Sequence, residues 1–66
     1  MTIQDVKDLF SETAKAEFTK YLKENDLVSF NAYCKNVKKS CEQNNGNLED
    51  AQFIIEDYFN QIGLDF

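Results

Sequence analysis

The chain has 66 residues, enough for one small domain, with 42% apolar residues, six Phe and three Tyr. Twelve acidic residues against seven lysines give a net charge of −5, which opposes nonspecific binding to nucleic acid. Without His or Arg, the chain lacks the usual general base, the commonest metal ligand and the bidentate phosphate clamp.

The first segment opens with Thr2 and Asp5 at the spacing of a capping box. Its apolar residues form two groups, Ile3 to Phe10 and Ala14 to Leu22. On a helical wheel these groups centre about 100° apart. A single straight helix would smear that face and place Glu17 on it. Ser11, ahead of Glu12 and Thr13, is suited to cap a restart, so residues 3–24 read as one helix or as two.

After a break at Glu24-Asn25-Asp26, Leu27, Phe30, Cys34, Val37 and Cys41 recur at spacings of 3, 4, 3 and 4. That is one helical stripe, widened by Tyr33, with Ser29 or Asp26 as its cap. Asn44-Asn45-Gly46-Asn47 reads as a loop. A last helix follows, with Glu49 and Asp50 in its first turn, where the dipole favours anions. Leu48, Ala51, Ile55, Tyr58, Phe59 and Ile62 form its expected core face, and Gly63 stands where a C′ glycine ends a helix.

The expectation is one all-α domain over residues 1–66, a small bundle of three helices, or four if the first breaks near Ser11. Surface scaling puts the folded area at about 4,300 Å², with about 61% of the open chain's surface buried. That burial is worth about 100 kcal/mol, and ordering the residues costs about as much. The chain is therefore a marginal monomer, or it gains stability from a partner or from self-association.

No apolar run approaches the ~20 residues of a membrane span, and the start lacks the apolar stretch of a signal peptide. This predicts no membrane association and a cytoplasmic location. Cys34 and Cys41 stand about 10 Å apart along a helix axis, too far for a disulfide, and are expected to be reduced core thiols. They lack the spacing and the His of a zinc site. Aligning Asp26 to Phe30 with an EF-hand loop puts Asp26 at the required Gly and Ala32 at the required Glu, which breaks the ligand set. No cofactor, metal or catalytic residue is expected. Carboxylates spaced along solvated faces offer no converging pair, and no base stands ready for a nucleophile.

Charge is unevenly divided. Residues 40–66 carry six acids and no lysine, whereas residues 1–39 carry six acids and all seven lysines. Phe53 lies on the polar side of the last helix, and its neighbours one turn away are Glu49, Asp50, Glu56 and Asp57. The ring is an incidental exposed residue, or it is covered by a flanking helix, or it is an anchor ringed by carboxylates, suited to a basic pocket. The anchor reading makes the chain an acidic adaptor or inhibitor that binds a protein with a basic surface. A nucleic-acid-binding protein fits best, the acidic face then mimicking nucleic acid. The alternative is a self-assembling structural module, a homo-dimer or larger, that buries Phe53, Leu64 and Phe66. Lys35, Lys38 and Lys39 form a smaller basic side that reads first as a solvated face or an internal complement to the acidic helix. The alternatives are a nucleic-acid contact, poor at three charges without Arg, or a head-to-tail contact with another copy's acidic helix.

Overall fold

A computed structural model describes residues 1–44 and 46–66. Four helices follow in order: α1 (Ile3–Lys7), α2 (Glu12–Glu24), α3 (Phe30–Gln43) and α4 (Leu48–Ile62). No strand occurs among the described residues. α1 packs against both α3 and α4, α3 packs against α4, and α2 packs against α3. The accessible surface is 4563 Å², close to the scaling value.

Each helix begins where a side chain can satisfy its free N–H groups. Thr2 and Asp5 form the reciprocal box: Asp5 N–H donates to Thr2 Oγ1 at 3.1 Å, and Thr2 N–H to the Asp5 carboxylate at 2.8 Å. The bond from the Thr2 N–H lowers the pKa of the Asp5 carboxyl. The first segment does break. Leu9 and Phe10 N–H groups turn back to Val6 and Lys7 carbonyls, and Ser11 caps the restart by accepting from Ala14 N–H at 3.0 Å. The break realigns the two apolar groups, so that Val6 and Phe10 face the same core as Ala14, Phe18 and Leu22 while Glu17 stays exposed.

Helix α2 ends in a Schellman motif. Leu27 N–H reaches Leu22 C=O at 2.9 Å, and Asp26 takes the left-handed conformation at φ 51°. Gly63 does the same for α4 at φ 78°, with Leu64 N–H bonded to Phe59 C=O at 2.9 Å. Because Leu27 closes α2, it cannot start α3; Ser29, rather than Asp26, caps that helix. Leu27 is accordingly 46% exposed and outside the expected stripe, whereas Cys34, Val37 and Cys41 are buried. Both cysteines are free thiols.

Of the expected four-residue loop before α4, Asn45 lies outside the described residues. Gly46 closes tightly on α3: a Cβ there would stand 2.7 Å from the Cys41 carbonyl oxygen, so only glycine fits without a backbone shift. Leu48 was expected in the core but is 41% exposed. As the first residue of α4 it borders an open surface hollow with Met1 and Asp5 of α1 instead of entering the core.

The core is aromatic. Phe10, in the turn between α1 and α2, has its ring 4.9 Å from Phe30, 5.9 Å from Phe59 and 5.5 Å from Phe66. Phe18 continues the cluster to Phe59 at 4.8 Å and to Tyr33 at 4.7 Å, edge-on to the latter. Tyr33 stacks on Tyr58 at 5.6 Å. Its hydroxyl is buried without a hydrogen-bond partner among the described residues, and burial pushes its ionisation well above the ordinary range.

Candidate functional site

The outward face of α4 is built by helical phase. Ala51, Ile55 and Phe59 point inward and are fully buried. That orientation turns Phe53 away from the bundle, where it is 70% exposed, the most open of the large apolar side chains. Among the described residues it joins none of the ring pairs that link every other aromatic residue.

The four carboxylates around this ring are not equivalent. Glu49 and Glu56 line a shallow hollow together with Phe53 and Gln52. Gln52 Nε2 donates to Glu56 Oε1 at 3.2 Å, which steadies the carboxylate beside the ring. Asp57 accepts from Gln61 at 3.0 Å. Asp50 is committed to the helix start: its carboxylate accepts from Asn47 N–H at 3.2 Å while Asn47 Oδ1 accepts from Asp50 N–H at 3.2 Å. Phe53, Glu49 and Glu56 thus form one surface, with Asp57 and Asp50 on its flank. Gln52 was missed from sequence, although its spacing of four from Glu56 was the available signal.

None of these acids pairs with a lysine among the described residues. The ion pairs present, Lys20–Glu24 and Lys38–Glu42, each lie within one helix. The Lys38 hydrogen bond and charge hold the Glu42 carboxyl below its usual range. Internal neutralisation of α4 by the α3 lysines therefore does not occur there. Lys35, Lys38 and Lys39 instead border a hollow against Ile3 of α1.

The expected oligomer contact through the C-terminal residues meets a different arrangement. Phe66 is half-buried in the chain's own core, with its ring 5.3 Å from Phe59, and Leu64 packs against the same cluster. Burial raises the pKa of both thiols; at Cys34 the charges of Lys7 and Lys15 only partly offset it, and at Cys41 those of Asp50 and Glu42 add to it. Among the described residues no three His, Cys, Asp or Glu side chains gather as a metal site. No helix among them is long and apolar enough to cross a membrane. No family model, curated protein or solved structure matches the chain.

Proposed function

We propose that the chain is a cytoplasmic protein-binding adaptor or inhibitor that acts stoichiometrically and without catalysis. It docks the outward face of α4 onto a basic surface of its partner. The observation that carries this reading is Phe53, 70% exposed among carboxylates that pair with no lysine among the described residues. An aromatic ring supplies large apolar area at low entropic cost, and the surrounding charges steer the approach and exclude partners without a cationic rim. A nucleic-acid-binding protein fits that chemistry best, because its cationic groove already attracts anions. Occupying the groove would exclude nucleic acid by mimicry of its charge.

Affinity capture from the native host with wild type and Phe53→Ala tests the reading. A partner retained by wild type, lost with the variant and displaced by nucleic acid supports it. Equal capture by both proteins rejects it. The alternative of a module assembled through Phe53, Leu64 and Phe66 has less support, since Phe66 is already engaged within its own chain.

A further inference from the structure

We propose that the lysine-bordered groove between α1 and α3 receives a second copy of this chain, which enters with the Phe53 face of α4. The inference rests on reading that face as a docking surface. Two adjoining hollows, of about 660 and 450 Å³, share Ile3 and Lys35. Lys38 and Lys39 border the first, and Lys7 borders the second. Half-buried Ile3 and the aliphatic stems of the lysines give the groove an apolar lining beneath a cationic rim. The one acid among the described residues that line it, Glu42, is already bonded to Lys38. A phenyl ring carried among carboxylates is the complementary shape and charge, and the chain itself presents one at Phe53.

The hollow that holds Phe53 shares no residue with the two lysine hollows, so one molecule offers both surfaces at once. Such a contact is heterologous: it adds copies head to tail instead of closing a symmetric pair. One helix face against one groove is smaller than a standard interface, so association is weak and concentration-dependent. The net charge of −5 on each copy opposes it at low ionic strength. Near 0.15 M salt, screening over about 8 Å weakens that overall repulsion and spares the close pairs.

Sedimentation velocity on the full chain at that ionic strength tests the proposal with two variants, each first shown to be folded by circular dichroism. Phe53→Ala removes the entering ring, and Lys35→Glu with Lys39→Glu removes the receiving rim. Wild type should sediment progressively faster as concentration rises, while each variant alone stays monomeric. An equimolar mixture of the variants should form a 1:1 dimer and nothing larger, because each supplies the surface that the other lacks. A monomeric wild type, a mixture that stays monomeric, or a lysine variant that associates like wild type would each overturn the proposal. Capture of a basic partner separates the two readings, since the lysine variant keeps the Phe53 face. If it still captures the partner and Phe53→Ala does not, a failed mixing experiment removes only the self-contact. A successful mixture with Phe53-independent capture removes only the partner reading.

Discussion

Phe53 and Phe59 lie less than two turns apart on one helix, yet their surroundings have nothing in common. Phe59 is fully buried, its ring 5.9, 4.8 and 5.3 Å from those of Phe10, Phe18 and Phe66. Phe53 is 70% exposed, with carboxylates for neighbours. The same side chain thus serves cohesion on one face of α4 and stands open to solvent on the other, the face proposed for docking. Because the two roles share no contacts, they should separate cleanly under mutation.

The largest expected effect is on the inward side. Phe59→Ala should cost about 3–5 kcal/mol of stability, because it opens a cavity where the turn after α1, α2, α4 and the C-terminal residues meet. For so small a domain that is much of the total, and urea denaturation should show a largely unfolded variant. Phe53→Ala should leave the urea midpoint within about 0.5 kcal/mol of wild type and cost at least about 2 kcal/mol of partner binding. If it unfolds the domain instead, the ring has a structural contact and the division of α4 into two faces fails.

The buried titratable groups give a smaller effect through pH. Burial raises the pKa of the Cys34 and Cys41 thiols above their ordinary 9.0, and of Tyr33 and Tyr58 above 10.0. The folded chain therefore keeps protons that the unfolded chain releases. Their contribution to stability is fully present below about pH 9 and falls as pH rises through the region above it. Urea midpoints should be flat near neutrality and decline in alkali, and both thiols should resist alkylation in the native state. Cys34→Ala and Cys41→Ala should each cost about 1 kcal/mol through lost packing. Fast alkylation at neutral pH would show that the core beside α4 opens more readily than its burial implies.

Angular information was legible in the sequence; what stands opposite each residue was not. The stripe of Cys34, Val37 and Cys41 and the outward phase of Phe53 follow from periodicity. The break at Ser11 is marked by periodicity and capping chemistry only as one of two readings, one helix or two. Leu27 and Leu48 have apolar chemistry at suitable wheel angles, but each lies at a helix end where neighbours cover it only in part. Phe66 lies beyond any periodic segment, so nothing local indicates that it folds back onto Phe10 and Phe59. The lysine groove needs Ile3 from one helix and Lys35 from another, a juxtaposition made only by packing. Within the candidate site, the spacing placed four acids around Phe53 as equals. The hold of Asn47 on Asp50, which makes them unequal, has its own signal, the three-residue spacing that also marks Thr2 and Asp5.

That inequality gives the finest test. Asp50→Asn removes a charge from the first turn of α4 and weakens the return bond to Asn47 N–H, so it should cost about 1 kcal/mol of stability. Glu56→Gln and Asp57→Asn keep a carbonyl oxygen for Gln52 and Gln61 and lie beyond the first turn, so their stability should be unchanged within error. Glu49→Gln falls between, losing a few tenths of a kcal/mol of dipole stabilisation. Association with a basic partner should follow a different order. Glu49→Gln and Glu56→Gln, which border the hollow beside Phe53, should slow it most, Asp57→Asn less, and Asp50→Asn least. Stopped-flow association rates beside urea midpoints would resolve both rankings. If Asp50→Asn slows association as much as Glu56→Gln while leaving stability intact, the capping carboxylate belongs to the recognition surface, and the separation of structural from docking roles on α4 fails at its own N-terminus.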